Sequence, residues 1–310
     1  MSDLTAQFVD DRQRQRLLRR FGTGATGWLA GLPALVESLA EQWKLTVEGP
    51  APHGRTSVVL HCRRLDGSPA IMKISPDAGL GVSEARVLRL WADTRRVPEV
   101  WAVDEERGAL LLEAIGDGST VAMTGTVPPM AEIGALIADL HAVPMSSRER
   151  MELNPLVSRV GFLFDMWERR RTEGPAADLV PASLLHHGHA WARALANGSD
   201  GDDAVPLHGD LHPGNVLDGG PERGLVAVDP RACLGDPAAD GVDWVLWRSQ
   251  SAEEARRRAA ELAPAIGVAE KRLLEWCSAF APLFAVAFAD RGRGDTPEFR
   301  LMMEAASAGL

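Results

Sequence analysis

The stretch HGDLHPGN at positions 208–215 places two histidines, a carboxylate and an amide within one short segment. Asp210 and Asn215 have the D-x-x-x-x-N spacing of a kinase catalytic loop, and Asp229 follows two short apolar runs further along the chain. Phosphoryl transfer needs a carboxylate beside the acceptor hydroxyl and oxygen ligands that hold Mg²⁺ against the phosphates of ATP. We therefore predict Asp210 as the catalytic base, with Asn215 and Asp229 as magnesium ligands.

This chemistry also needs a lysine on a strand to bind the α- and β-phosphates, and a glutamate on the next helix to orient that lysine. Lys73 alternates with apolar residues in the β-rich run Ala70–Ser75, and Glu84 follows eleven positions later in a helical pattern. Lys73 taken alone could equally be a solvated strand lysine. The ordered set of Asp210, Asn215 and Asp229 downstream favours the phosphate-binding interpretation.

Two glycine-containing segments are candidates for a loop that covers phosphates. The segment GTGATG at 22–27 fits G-x-G-x-x-G, but it follows a polar, arginine-rich stretch and ends 46 residues before Lys73. A phosphate-covering loop should join two strands just before that lysine, so we expect a flexible loop at 22–27. We place the covering loop at 49–57, where Gly54 and Ser57 could contact the phosphates.

The predicted strand that ends near Glu113 leads into the second half of the chain. We predict that Glu113 and Ile115 lie where adenine contacts backbone groups. His212 stands where protein kinases carry a lysine, two residues after the catalytic Asp. We expect it to orient the loop or neutralise the transferred phosphate, and a purely structural hydrogen bond explains it equally well.

Other polar residues are candidates for acceptor or metal binding. Asp236, Asp290 and Asp295 are candidate contacts for a cationic acceptor, although exposed carboxylates are common on any surface. The histidines at 186–189 lack neighbouring cysteine or carboxylate ligands. We expect these histidines on a solvated helix face.

The strand and helix patterns around these residues indicate an α+β fold with two lobes. Residues 1–115 are expected to form an antiparallel sheet with helices, including a hairpin turned by Asp66-Gly67. Residues 116–310 are mostly helical in pattern, apart from a second hairpin before Asp229. The first part is predicted to be the ATP-binding lobe and the second the catalytic and acceptor-binding lobe.

Length, charge and composition exclude several classes of protein. The 310 residues predict about two structural units. The formal net charge of −10 disfavours nucleic-acid binding. No apolar run reaches the roughly 20 residues that a membrane helix needs, and the polar N-terminus does not resemble a signal peptide, so we expect a cytoplasmic protein. Three widely spaced cysteines indicate buried thiols rather than a disulfide framework.

With these motifs, the sequence resembles the aminoglycoside phosphotransferases, and among them the aminoglycoside/hydroxyurea antibiotic resistance kinases that include streptomycin 6-kinases. The narrower resemblance adds the segments at 28–36, 111–113 and 140–144. It implies a bilobal protein-kinase-like fold, use of ATP with Mg²⁺, and phosphorylation of a hydroxyl on a small antibiotic. It also implies the roles already given to Lys73, Glu84, Asp210, Asn215 and Asp229.

Several alternatives remain at this point. Only six residues, 230–235, separate Asp229 from the next helical unit, which leaves no room for the activation segment on which protein kinases receive a peptide. A kinase of a small primary metabolite, such as an amino sugar or amino alcohol, is the main rival. A metallohydrolase built on His208, Asp210, His212 and Asp229 and an inactive nucleotide-binding module are further alternatives. We expect a monomer or weak dimer.

Overall fold

The computed structural model describes residues 7–51, 56–198 and 203–310, which pack into two units that divide after Gly118. The first unit is built on a five-stranded antiparallel sheet in the order β1-β2-β3-β5-β4. Its strands are β1 Leu45–Pro50, β2 Val58–Arg64, β3 Pro69–Ile74, β4 Val100–Asp104 and β5 Ala109–Glu113, and its helices are α1 Asp11–Phe21, α2 Gly24–Trp43 and α3 Ala78–Leu90.

The hairpin of β2 and β3 follows the predicted pattern. Gly67 takes a φ of 82° in the turn, and the Asp66 carboxylate accepts a hydrogen bond from the amide of Ser68 at 2.9 Å. Alternate residues of β2 are buried, because successive side chains point to opposite faces of a sheet, whereas β3 buries Lys73 as well as Met72 and Ile74 on either side of it. Leu60 and Met72 belong to a core cluster that also contains the buried stripe of α2.

The expectation of a flexible loop at residues 22–27 was wrong. Gly22, with a φ of 68°, ends α1, and Gly24 already begins α2. The buried residues of α2 recur every three or four positions from Ala25 to Leu39, so one continuous apolar stripe extends the helix to its first residue. Burial of that stripe against the sheet outweighs the low helix propensity of the glycines.

The second unit is mostly helical around α11. Its helices are α4 Val121–Thr124, α5 Met130–His141, α6 Ser147–Glu152, α7 Leu156–Glu173, α8 Ala182–Asn197, α9 Val242–Leu246, α10 Ala252–Ala265, α11 Glu270–Ala289 and α12 Pro297–Ala308. Its strands are β6 Asn154–Pro155, β7 Val205–Leu207, β8 Val216–Asp218, β9 Leu225–Ala227 and β10 Cys233–Gly235. By length and composition α11 could cross a membrane, but 61% of its most apolar window is buried inside this unit, where it packs against α8, α9 and α12.

Four helices, α1, α4, α6 and α10, lie outside the segments whose hydrophobic spacing predicts a helix. A signal for α10 is present in the S-x-x-E pattern from Ser251 to Glu254. Ser251 caps this helix by accepting from the Glu254 amide, and Glu254 pairs with buried Arg258 at 2.5 Å. The helix is rich in charge, which hides the apolar spacing of Ala255, Ala259 and Leu262.

The core position of Leu60 gives a stability prediction. Leu60→Ala should lower the free energy of unfolding by about 2–5 kcal/mol, because it removes a fully buried side chain and leaves a cavity. Leu65→Ala is the matched control, since Leu65 is 81% exposed and its loss should change stability by less than about 0.5 kcal/mol. Urea titration of both variants measures the difference, and equal midpoints would contradict the assigned core.

Candidate active site

The predicted catalytic loop connects β7 to β8 in the helical unit, and His208 is its buried first residue. The Nδ1 of His208 accepts from the amide of Asp210 at 3.3 Å, so its Nε2 carries the proton and donates to the carbonyl of Val228 at 3.2 Å. Burial lowers the pKa of His208 below its ordinary value, against the opposing charges of Asp240, Asp210 and Asp229. A neutral His208 therefore ties the loop to the end of the second hairpin.

Asp240 anchors the same loop from a 3-10 turn that precedes α9. Its buried carboxylate accepts from the amides of His208 at 2.7 Å and Gly209 at 2.9 Å, and Nε2 of His141 lies 3.0 Å away. Burial by itself would raise the pKa of Asp240. The hydrogen bond and charge of His141, with the amide of Gly209, lower that pKa below its ordinary value.

Asp210 is held by contacts from two directions. Arg159 donates through Nη2 to its Oδ1 at 2.9 Å and through Nε to the carbonyl of Gly209 at 2.9 Å. Asn215 donates through Nδ2 to the carbonyl of Asp210 at 2.9 Å. The Nε2 of His212 lies 3.9 Å from Oδ2, while its Nδ1 accepts from the Gly214 amide at 3.0 Å. His212 thus shapes the loop and stands close to the carboxylate.

Asp229 follows the second hairpin directly and adopts a left-handed φ of 58°. The amide of Val228 donates to the carbonyl of Asn215 at 2.8 Å, and Nη2 of Arg231 lies 3.1 Å from Oδ1 of Asp229. The amide of Arg231 donates to the carbonyl of His208 at 2.9 Å. These bonds join the loop of Asp210 to the segment of Asp229 within one unit.

Gly209 is required at this junction. A Cβ on Gly209 would lie 2.3 Å from the carbonyl oxygen of Arg231, and the residue has a φ of 72° that side chains rarely adopt. Only glycine lets the two segments approach this closely.

Asn215 and Asp229 fit the predicted magnesium site. Because Nδ2 of Asn215 donates to Asp210, its Oδ1 is the atom available for a cation. Two oxygen ligands from protein match Mg²⁺, which keeps several waters and takes its remaining ligands from phosphates. Across residues 7–51, 56–198 and 203–310, the side chains of His, Cys, Asp and Glu form no group of three that could hold a metal ion. The metallohydrolase alternative would use His208 as a ligand, but both ring nitrogens of His208 are engaged in hydrogen bonds.

The sheet unit brings Lys73 and Glu84 together as predicted. Nζ of Lys73 lies 2.7 Å and 2.6 Å from the two carboxylate oxygens of Glu84, and both residues are buried. Lys73 sits on β3 between Val59 of β2 and Leu110 of β5, so paired strands on both sides fix its position. A buried ammonium needs such a partner to stay charged.

The remaining predicted nucleotide contacts also lie in the sheet unit. Ser57 is buried, and its carbonyl accepts from Nε2 of Gln13 at 3.0 Å. Residues 52–55 of the proposed covering loop, including Gly54, lie outside the described residues. Glu113 is the last residue of β5 and exchanges hydrogen bonds with Glu99, and buried Ile115 accepts from the Gly118 amide. Their roles toward ATP stay predictions.

The prediction that Asp236 binds substrate is not supported by the structure. Its Oδ1 accepts from the Ala238 amide at 3.0 Å, and its Oδ2 accepts from Nε of Arg272 at 2.6 Å and Nε1 of Trp276 at 2.7 Å. The carboxylate is buried with both oxygens engaged, so it caps the turn that carries Asp240. Its position after the motif could not reveal these distant partners.

Asp290 and Asp295 lie at the end of α11 and in the turn after it. Burial raises the pKa of Asp290, and the charges of Arg170 and Arg291 oppose that shift. The backbone carbonyl of Asp295 accepts from Nη1 of Arg300 at 2.6 Å. The acidic residues here alternate with arginines, so they do not form a patch of one sign.

Of the four residues at 186–189, His186 and His187 are exposed on α8, as expected. His189 is half-buried and stacks on Phe164 with ring centroids 4.9 Å apart. Its contacts are those of a packed side chain.

Sequence reasoning missed Arg159 and His141, and it left Asp240 without a role. Arg159 lies 51 positions before Asp210, and His141 lies 99 positions before Asp240. The segment at 140–144, which contains His141, was part of the family resemblance, and that resemblance was the only signal that could have marked this histidine. Nothing in the local pattern of α7 distinguishes Arg159 from its other arginines.

Comparison with known proteins agrees with this geometry. The sequence model of the aminoglycoside/hydroxyurea antibiotic resistance kinases matches residues 42–292. Streptomycin 6-kinase of Streptomyces glaucescens is 33% identical over 225 residues, 72% of this chain and 69% of that protein. Streptomycin 6-kinase of Streptomyces griseus is 30% identical over 262 residues, 80% of this chain and 79% of that protein.

The fold has matches among solved structures as well. An ethanolamine kinase of Plasmodium vivax superposes with a TM-score of 0.59 at 10% identity, covering 96% of this chain and 95% of that one. The fold is therefore kinase-like, as predicted. The similarity to the two streptomycin 6-kinases shows that the protein is a phosphotransferase with an alcohol group as acceptor. The chain belongs to the aminoglycoside/hydroxyurea antibiotic resistance kinase family.

The anchor role of Asp240 predicts a pH-dependent loss of stability. Asp240→Asn should lower the free energy of unfolding by about 3–5 kcal/mol at pH 7, because the amides of His208 and Gly209 and the ring of His141 lose their charged partner. The folded pKa of Asp240 lies below its ordinary value, so its stabilisation is present above the ordinary pKa and disappears as pH falls through the folded one. The difference in free energy of unfolding between wild type and variant should therefore become smaller below about pH 4.

Urea midpoints at pH 7 and at acidic pH measure this difference. Asp295→Asn is the matched control, because Asp295 is exposed and contributes only its backbone carbonyl to a hydrogen bond. A destabilisation by Asp240→Asn that stayed constant across this range would contradict the assignment.

Proposed function

We propose that the protein is an ATP-dependent O-phosphotransferase that phosphorylates a hydroxyl of a small cationic antibiotic of the streptomycin type and so inactivates it. The observation that carries the proposal is the ordered arrangement of Asp210, Asn215 and Asp229 around one hydrogen-bonded loop. The buried pair of Lys73 and Glu84 supports it from the sheet unit. Family membership and the two streptomycin 6-kinases support the choice of acceptor.

In this mechanism the γ-phosphoryl group leaves the β-phosphate oxygen of ATP as the acceptor oxygen bonds to its phosphorus. Asp210 accepts the proton of the acceptor hydroxyl, and the displaced electron pair stays on ADP. Arg159 donates to Oδ1 of Asp210 at 2.9 Å, whereas Nδ2 of Asn215 contacts Oδ2 at the longer distance of 3.4 Å. This difference favours Oδ2 as the oxygen that takes the proton. Lys73 donates to the α- and β-phosphates, and Glu84 fixes its ammonium group.

Asn215 and Asp229 would hold Mg²⁺. When bound, the ion neutralises charge on the phosphates and aligns them. The left-handed backbone of Asp229 sets the direction of its side chain, and the hydrogen bond from Nδ2 of Asn215 to the carbonyl of Asp210 sets that of Asn215.

A kinase of an amino sugar or amino alcohol remains the second candidate. The likeness to an ethanolamine kinase concerns the fold alone, so it does not favour that acceptor. An ATP-consumption screen across aminoglycosides, peptide and nucleoside antibiotics, hydroxyurea, amino sugars and amino alcohols separates the two. Turnover with amino alcohols or amino sugars and none with antibiotics would reject the antibiotic proposal in favour of the second candidate.

Substitutions in the loop test the roles within the mechanism. Asp210→Asn should lower kcat by about 10²–10⁴ while Mg-ATP binding persists, because the acceptor proton loses its base. Asp229→Asn should instead weaken magnesium-dependent nucleotide binding, which calorimetry measures. Asp218→Asn is the matched control, since Asp218 is exposed on the same hairpin and bonds only the Gly220 amide. Near-normal turnover by folded Asp210→Asn would reject the base assignment.

Because the proposed acceptor is cationic, we expect ionic strength to affect the KM of the acceptor more than the KM of ATP. The Debye length falls from about 10 Å at 0.1 M salt to about 3 Å at 1 M, so attraction through partly exposed carboxylates weakens. The KM of the acceptor should therefore rise with salt more than the KM of ATP. Asp290→Asn should reduce the salt dependence of the acceptor KM, because it removes a carboxylate predicted to contact the acceptor. Preference for a neutral acceptor, or an acceptor KM independent of salt, would contradict the prediction.

A further inference from the structure

We infer that Arg159 is a positioning residue that holds the Asp210 carboxylate in the orientation from which it accepts the acceptor proton. The inference rests on the proposed function and adds a residue to it. The inference is based on two hydrogen bonds that Arg159 donates to the catalytic loop from a helix distant in sequence. Arg159 lies in the first turns of α7, which begins at Leu156.

The two contacts fix different parts of the loop. Nε of Arg159 donates to the backbone carbonyl of Gly209, and Nη2 donates to Oδ1 of Asp210, both at 2.9 Å. The first contact sets the backbone position just before the base, and the second sets the rotation of its carboxylate. Together they leave Asp210 little freedom, although its side chain is 32% exposed.

Arg159 itself is held firmly enough to act in this way. Its side chain is 14% exposed, and its guanidinium carbon lies 5.5 Å from the centroid of the Phe162 ring. Leu156 and Val160 on either side are buried and anchor this part of α7. A rigid helix therefore supports the contact with the Asp210 carboxylate, whereas in this loop Asp240 holds only the backbone amides of His208 and Gly209.

Charge in this region adds a second reason for an arginine. Asp243 is buried near Asp210 and Asp240, and Arg159 is a cation close enough to oppose the negative charge around Asp243. Burial, together with the charges of Asp210 and Asp240, raises the pKa of Asp243 to about 7 against the effect of Arg159. A guanidinium offsets this negative charge without competing for the transferred proton, because it stays protonated and accepts no hydrogen bond.

Lysine would not replace this function. A guanidinium presents several donors in a planar fork, which matches a carbonyl and a carboxylate oxygen at once, while an ammonium is a single point charge on a flexible chain. Arg159→Lys would preserve the positive charge, but the orientation of the Asp210 carboxylate would be lost.

The test measures kinetics with the acceptor found in the screen. Arg159→Gln should lower kcat by about 10- to 100-fold, the scale expected when a catalytic group is misplaced. The KM of ATP and the melting temperature should stay close to wild type. Arg159→Lys should recover only part of the loss. Arg169→Gln is the matched control, because Arg169 is exposed on the same helix and should leave kcat unchanged.

Chemical rescue separates positioning from a structural role. Millimolar guanidinium or methylguanidinium should restore part of the kcat of Arg159→Ala and none of that of Asp210→Asn. Unchanged kcat in Arg159→Gln would overturn the inference. A loss of kcat that follows a fall in melting temperature and is not rescued by guanidinium would also overturn it.

A crystal structure of Arg159→Gln keeps this inference distinct from the proposed function. If the wild-type protein phosphorylates no acceptor in the screen, the proposed function fails. The orientation of the Asp210 carboxylate in that crystal then still tests whether Arg159 positions it. A rotated or disordered Asp210 carboxylate supports the inference. An Asp210 carboxylate unchanged from wild type overturns it.

Discussion

The helical unit depends on one buried carboxylate, that of Asp240. Taking a charged carboxylate out of water costs several kcal/mol unless it gains close hydrogen bonds. Here the backbone amides of His208 and Gly209 and the ring of His141 provide them. The same bonds join α5, the turn before α9 and the catalytic loop. The ionised carboxylate is stable in this buried position only when all three elements are in place, so the assembled loop is coupled to the packing of the unit.

Three aspartates near this loop have different roles because their surroundings differ. Asp240 is buried and accepts from backbone amides, which makes it an anchor. Asp236 is buried against Arg272 and Trp276 and caps a turn. Asp210 is partly exposed, and one of its oxygens is directed by Arg159. Residue type alone therefore does not define the catalytic base; the number of hydrogen bonds and the access to solvent do.

The sequence predicted the parts of the site that depend on local spacing. Asp210 and Asn215 are close in sequence, and their hydrogen bond follows from that loop. Lys73 was found because it alternates with apolar residues on a strand. Arg159 could not be found in this way, because its contact with Asp210 depends on how α7 packs beside the loop. Asp236 was misassigned for the same reason, since its partners Arg272 and Trp276 lie on a distant helix.

A strained backbone at Asp229 orients the carboxylate of this residue. A residue other than glycine in the left-handed region costs about 1–2 kcal/mol, and Asp229 has a φ of 58°. Bonds on both sides hold this conformation, from Val228 to Asn215 and from Arg231 to His208. A glycine would relieve the strain but remove the carboxylate. The strained backbone turns the Asp229 side chain away from the direction that an extended strand would give it, and the hairpin and the catalytic loop together supply the stabilisation that this requires.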